Sequence, residues 1–210
     1  MYTQRVHYYP TPGKEAEIRP ILEDRVKGAP RRNVRSSLSQ QMFAANGPVF
    51  VTTNLHQDIA SFEKARDANQ SDPAFRTFGA KVSSLVRQPS KIEFFNVLVQ
   101  PGGNASSNRY THRILCYPDL GKGPIVRRVL EELVKTRQAE GRTRVGLTQQ
   151  LFAPTGQVFV FADGYANLTE YENNQPGRTS SLQAAGAELY ALSRAPMTQE
   201  LYAVLIPFPR

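Results

Sequence analysis

The sequence predicts an α+β fold made of two tandem βαββαβ repeats, and three observations predict it. The string "SLSQQMFAANGPVFVTTN" (Ser37 to Asn54) returns little changed as "GLTQQLFAPTGQVFVFAD" (Gly146 to Asp163). Shorter matches keep their order along the chain. Tyr9-Pro10 meets Tyr117-Pro118 at an offset of 108, Gln40-Gln41 meets Gln149-Gln150 at 109, and Gly79-Ala80 meets Gly186-Ala187 at 107. Finally, the strand-like runs "YAVLI", "VFVFA" and "RILCY" are apolar on both parities, which a sheet with one wet face would not be.

Each element can be read twice. "RVHYY" (Arg5 to Tyr9) and "RILCY" (Arg113 to Tyr117) read as first strands. A helical stripe comes next in both copies: Ile18, Ile21, Leu22, Val26 and Val126, Val129, Leu130, Val134. Pro124 suits a first helical turn, whereas Pro20 implies that the first helix starts a few residues later than its twin. "LSQQMF" and "LTQQLF" read as strands, turned at Asn46-Gly47 and Thr155-Gly156 into the return strands "VFVTT" and "VFVFA". Asp58 and Asn167 are N-caps of a short helix, and Glu170 completes a capping-box pattern in the second copy. Asp72-Pro73 opens what reads as the longest helix, with the stripe Phe75, Phe78, Val82, Leu85 matched by Leu182, Ala185, Leu189, Leu192. "IEFFNVLV" and "QELYAVLI" close the halves.

This order is the ferredoxin-like plan, an antiparallel sheet with helices on one face. The other face, being apolar too, also needs a cover, because bare it would exceed the apolar patch a soluble monomer tolerates. The nearest cover is the other repeat. The expectation is therefore two ferredoxin-like repeats, 1–99 and 109–210, whose antiparallel sheets pack face to face into a pseudo-dimeric α+β barrel. The Pro/Gly/Ser-rich stretch "QPGGNASSN" (100–108) is the linker.

Bulk properties exclude several function classes. Of 210 residues, 40% are hydrophobic and 21% charged, ordinary for a soluble domain. No apolar run approaches the ~20 residues of a membrane span, and the N-terminus lacks a charged-then-apolar leader. The single Cys116 excludes a disulfide framework, so a reducing, cytoplasmic setting is expected. The net charge of +8 invites a nucleic-acid reading. Yet "RRNVR" (Arg31 to Arg35) and Arg137, Arg142 and Arg144 fall in helix-to-strand links without interleaved aromatics, and read as solvated loop charge. No nucleic-acid or membrane partner is expected.

"YYPTPGKEAEI" with its following helix, and the hairpin near "GPVFVTTNLHQDIASFEKA", resemble the NIPSNAP branch of the dimeric α/β-barrel superfamily and its antibiotic-biosynthesis-monooxygenase-like relatives. The resemblance covers nearly the whole chain, once per half. It implies a fused, self-contained dimer open to further homo-oligomerisation, with a pocket in each half between sheet and long helix. The relatives include cofactor-free oxygenases of aromatics and haem-degrading enzymes.

In each couplet Gln40-Gln41 and Gln149-Gln150 one side chain faces the helices and its neighbour the opposite side. A buried amide costs about 1–3 kcal/mol if unpaired, so each needs a partner, across the repeats or on a ligand. Gly79 and Gly186 interrupt a helix at roughly 1 kcal/mol each against Ala, which close helix-to-sheet packing would offset. Arg87 and Arg194 suit the negative end of that helix. The halves differ where a one-sided site would lie: His7 meets Leu115, His56 meets Tyr165, Asn54 meets Asp163, and Asn96 meets Ala203. The first half adds Phe75, Phe78, Phe94 and Phe95; the second offers Tyr117, Tyr165, Asp163 and Tyr202.

His7 and His56 are the candidate bases. Gln40, Gln41, Asn54, Phe75, Phe78, Phe94, Asn96, Tyr117, Gln150 and Tyr165 are the candidate ligand contacts. The three histidines show no metal-ligand spacing, so no metal or cofactor is expected. Haem on His7 or His56 stays open, but the haem-degrading relatives use a Trp that this chain lacks. Three functions remain: a binder of a small apolar or aromatic molecule, a cofactor-independent monooxygenase of electron-rich aromatics, and a protein–protein adaptor.

Overall fold

The computed structural model describes residues 1–29, 34–102, 107–175 and 178–209. The elements are β1 (Tyr2–Tyr8), α1 (Glu15–Lys27), β2 (Arg35–Met42), β3 (Val49–His56), α2 (Ile59–Ser71), α3 (Pro73–Ser83), β4 (Lys91–Val99), β5 (Tyr110–Cys116), α4 (Gly123–Ala139), β6 (Val145–Leu151), β7 (Val158–Tyr165), α5 (Leu168–Asn174), α6 (Ser180–Ala191) and β8 (Thr198–Ile206). One order of elements thus occurs twice. The strands hydrogen-bond in the order β1-β3-β2-β8-β5-β7-β6-β4 and close an eight-stranded barrel. Two compact units divide the chain, 1–94 with 203–210, and 95–202. β4 and β8 each begin in one unit and end in the other.

In the first unit β3 is central, antiparallel to both β1 and β2, with Asn54 opposite Gln4 on one side and Ser36 on the other. The stripe Ile18, Leu22, Val26 of α1 and Val82 of α3 packs on Tyr8, Leu38 and Phe50. In the second unit β7 is central, and Val126, Leu130, Val134, Leu182 and Leu189 pack on Ile114, Cys116, Leu147, Phe159 and Phe161. Each fully buried aliphatic or Phe side chain contributes about 1.5–3 kcal/mol. Val49–Thr52 and Val158–Phe161 are buried at every position, so both faces of these central strands are dry. Cys116 is fully buried, and burial pushes its thiol up to about 12.

Several expectations need correction. α1 begins at Glu15, as early as its twin, with Pro20 inside it. An interior Pro costs about 3 kcal/mol, and burial of Ile18 and Leu22 on either side, at about 1.5–3 kcal/mol each, outweighs that. The longest helix is α4, with 17 residues, against 11 in α3. The reciprocal capping box belongs to the first copy, between Asp58 and Ser61. In the second, Asn167 caps the Glu170 amide while the Glu170 carboxylate accepts from Ala166 N–H instead.

Phe43 and Phe152 are not strand residues. They turn the chain at φ 57° and 58° and are 88% and 91% exposed. A Cβ at Gly79 or Gly186 would meet nothing within 4 Å, so close packing is not why these glycines are there. Arg87 and Arg194 tie the end of their helices back to the first strand: each guanidinium donates to a proline carbonyl, Pro10 and Pro118 respectively.

Arg31 and Arg32 lie outside the described residues, as do 103–106 of the predicted linker. Arg35 is the exposed first residue of β2 and donates to the Pro209 carbonyl. Arg137 is not a loop charge at all. It sits in α4 at 1% exposure, and Arg142 and Arg144 join it in an ion-pair network. Among the described residues no helix is long and apolar enough to cross a membrane.

Candidate functional site

Strand alternation sorts the first half's polar residues onto two faces. Gln4, Val6 and Tyr8 of β1 point to the helices, as do Thr52, Asn54 and His56 of β3. Between this face and α1, α2 and α3 lies a cavity of about 270 Å³. Ser36 Oγ donates to Asn54 Oδ1 at 2.7 Å, and Asn54 Nδ2 donates to Gln4 Oε1 at 3.2 Å, so one row of polar groups crosses three strands. Helices supply the apolar wall through Phe62, Ala65, Phe75 and Phe78.

Two side chains give this cavity chemistry. His56 is 6% exposed, lines the cavity, and its Nε2 has no hydrogen-bond partner among the described residues. The Phe62 ring meets it edge to face at 5.4 Å. Burial lowers its pKa, so the imidazole is neutral at pH 7. Arg25 of α1 donates to Asn69 Oδ1, and its guanidinium carbon lies 4.7 Å from the Phe75 ring centre and 5.4 Å from that of Phe78. Aromatic faces hold a cation electrostatically. Among the described residues no Asp or Glu lines the cavity.

The equivalent place in the second unit is filled. At the same register Val145, Asp163 and His112 replace Ser36, Asn54 and Gln4. Phe161 stands where Thr52 does. Asp163, 1% exposed, accepts from Arg142 at 2.8 Å, from Arg137 at 3.4 Å and from the Tyr165 hydroxyl at 3.1 Å. Glu170 binds Arg142, and Arg144 at 3.0 Å. Beside it a cavity of about 40 Å³ lies between Ile114, Phe161, Leu182 and Met197. A larger but open groove of about 450 Å³ runs between α4 and α6.

The structure thus brings His56, Asn54, Phe75 and Phe78 together, with Phe94 behind them, stacked on Tyr2 at 5.6 Å and tilted on Phe62 at 4.7 Å. His7 lies on the opposite face of β1. There its Nε2 is 2.9 Å from Glu93 Oε2, which Arg5 also approaches at 3.9 Å, while Lys91 pairs with Glu93 Oε1 at 2.8 Å. Burial lowers the pKa of His7 although its hydrogen bond to Glu93 works the other way. Glu93 is held well below the usual carboxylate range: burial opposes this, and His7, Arg5 and Lys91 together outweigh burial. An ionised carboxylate only accepts, so neutral His7 carries its proton on Nε2.

Gln40 pairs with Phe50 on the helix-facing side and Gln41 with Val49 on the other; both couplets are half-buried rather than buried, and neither Gln40 nor Gln41 lines the cavity. Asn96, Tyr117 and Gln150 are half-buried in the second unit, where the Tyr117 hydroxyl reaches Thr198 Oγ1 at 3.1 Å. Tyr165 is buried in the ion network. The sequence reading missed Gln4, Phe62 and Arg25. Arg25 had a signal: it stands three residues after Leu22 and seven after Ile18, on the apolar stripe itself.

His7, His56 and His112 all have pKa values lowered chiefly by burial. As pH falls through about 6.5, the ordinary imidazole value, the unfolded chain takes up protons that the folded chain does not. Folding stability therefore falls below about pH 6.5 and is fully present above it. Urea midpoints measured from about pH 7.5 to 5.5 should decline with acidification; a level profile would contradict burial of neutral imidazoles.

The order β4-β1-β3-β2 with helices on one face makes the first unit ferredoxin-like in topology, and β8-β5-β7-β6 does the same for the second. Solved structures share this architecture. A candidate monooxygenase from Fusobacterium nucleatum matches all of this chain and 94% of its own, at 12% identity and TM-score 0.80. One from Lactobacillus acidophilus matches all of this chain and 99% of its own, at 10% and 0.70. A ferredoxin-fold protein from Listeria monocytogenes, related to antibiotic biosynthesis monooxygenases, matches all of this chain and 96% of its own, at 11% and 0.50. Likeness at such identity carries the fold. No protein-family model and no curated protein matches the sequence.

Proposed function

We propose that the chain binds a small, largely apolar or aromatic molecule in the cavity of the first unit. One observation carries this reading: corresponding positions in the two halves enclose an aromatic-walled space in one and a filled ion network in the other. Lining a cavity with Gln4, Asn54 and Thr52 has no packing benefit, whereas convergent polar groups in an apolar pocket fix a ligand's orientation. Ligand-observed NMR of the intact protein against a panel of small aromatics tests it. Binding that is competed by a single site supports the reading; a silent panel favours the adaptor.

A second reading, a cofactor-independent monooxygenase of electron-rich aromatics, is favoured by His56, a neutral imidazole with an unpartnered nitrogen on the cavity wall. Such a base can take an acidic proton from substrate. Oxygen uptake with hydroquinones and anthrones, lost in His56→Ala, would support it. A flat trace leaves binding without turnover. The reading needs no haem, and a purified sample without a Soret band would agree. The matched order of motifs and elements supports the finer view that the chain is a duplicated, NIPSNAP-like unit.

A further inference from the structure

Most polar groups that line the first unit's cavity already have partners, and the two that do not narrow its ligand. Taking that cavity as the binding site, we propose that it holds a hydroxyaryl carbonyl compound of about one ring. The carbonyl oxygen accepts from the Gln4 side-chain amide, the hydroxyl meets His56, and the ring lies against Phe62, Phe75 and Phe78.

Ser36 Oγ donates to Asn54 Oδ1 and Asn54 Nδ2 to Gln4 Oε1, so this polar row runs in one direction and ends on Gln4 Nε2. That nitrogen carries two N–H donors and has no acceptor among the described residues. Thr52 serves the Tyr8 hydroxyl. Arg25 bonds to Asn69, Arg66 lies 3.0 Å from Asp67, and Gln70 is exposed to water. The last group is His56 Nε2, buried on the cavity wall without a partner among the described residues. Nearly all buried polar atoms have one.

An amide N–H only donates, so Gln4 Nε2 takes an acceptor, and a carbonyl oxygen is one. A hydroxyl both donates and accepts, so it satisfies either tautomer of His56. Gln4 stands opposite Asn54 and His56 opposite Tyr2. Gln4 and His56 are therefore diagonal neighbours on two paired strands, about 7–8 Å apart at the backbone. Two substituents on opposite sides of a ring bridge such a gap. An apolar cavity of about 150 Å³ holds benzene, so about 270 Å³ has room for one ring carrying both groups.

Calorimetric titration of the intact chain with 3- and 4-hydroxyacetophenone, acetophenone and 4-ethylphenol tests the assignment. At least one hydroxyacetophenone should bind about ten times more tightly than acetophenone and than 4-ethylphenol, the worth of one hydrogen bond in each comparison. Gln4→Met keeps a side chain of similar length without the donor. In that variant the advantage over 4-ethylphenol should vanish while 4-ethylphenol still binds. In His56→Phe the advantage over acetophenone should vanish. The comparison among probes uses the unaltered protein, so a variant that fails to fold does not blunt it. Equal binding of 4-ethylphenol overturns the carbonyl on Gln4, and equal binding of acetophenone overturns the hydroxyl on His56. Preferences unchanged in both variants put the ligand elsewhere and overturn both. If no acetophenone binds while another small aromatic does by NMR, this inference alone falls. If no aromatic binds at all, the cavity's role as a binding site falls with it.

Discussion

Asp163→Ala lowers the stability of the protein by about 3–5 kcal/mol, the range found when one partner of a buried ion pair is removed. The carboxylate is 1% exposed and takes hydrogen bonds from Arg137, Arg142 and Tyr165. Its loss leaves the Arg137 guanidinium, itself 1% exposed, facing Glu140 and Asn174 without its buried counter-charge. Asn54 occupies the same register position in the first unit, yet it is half-buried beside a cavity and bonded to Ser36 and Gln4, both uncharged. Asn54→Ala therefore costs less, about 1–3 kcal/mol for two ordinary hydrogen bonds between uncharged groups. Denaturant midpoints for the two variants give the comparison. Equal losses would mean that the arginines find water or other partners and that the network does not fill the second unit's pocket.

Ala65→Phe should reduce binding of any cavity ligand at least a hundredfold without loss of stability. Ala65 lines the cavity from α2, a helix with no buried residues of its own. A phenyl group added there enters empty space, so the strain of about 1–3 kcal/mol that accompanies overpacking of a full core does not arise. Its ring would take the place of the ligand's and give the first unit the closed condition of the second. Titration with the small aromatic that binds the unaltered protein most tightly reads the effect. Unchanged affinity would put the ligand elsewhere on the protein.

Much of this architecture was legible in the sequence because similar strings in the two halves let weak signals be read twice. The stripes Ile18–Leu22–Val26 and Val126–Leu130–Val134 both proved to be core, and Asp58 and Asn167 both cap helices. The failures share a physical cause: they are places where one local preference yields to a neighbour. Pro20 reads as a helix breaker until the burial of Ile18 and Leu22 is weighed against it. Phe43 and Phe152 extend an alternating pattern, and only backbone geometry shows them at positive φ.

The site was half legible. His56, Asn54, Phe75 and Phe78 were chosen from differences between the halves and do meet. His7 was chosen on the same grounds, but its odd position on β1 turns it away from Gln4, Val6 and Tyr8. Parity along "QRVHY" would have shown this. Arg137 was misjudged because composition treats a charge near a loop as solvated, and Arg25 was passed over; both stand on helical stripes that point inward. A charge on an apolar stripe is the signal to seek in such chains, since burial of that kind demands a partner.

Cys116 carries a practical consequence. It is the sole sulfhydryl in the chain, fully buried, and not ionised near neutrality. Disulfide-exchange and maleimide reagents react with the thiolate, so they find nothing to attack until the surrounding β5 and α4 separate. Colour released by such a reagent then keeps time for the breathing of the second unit, a stopwatch already wired into the native polypeptide.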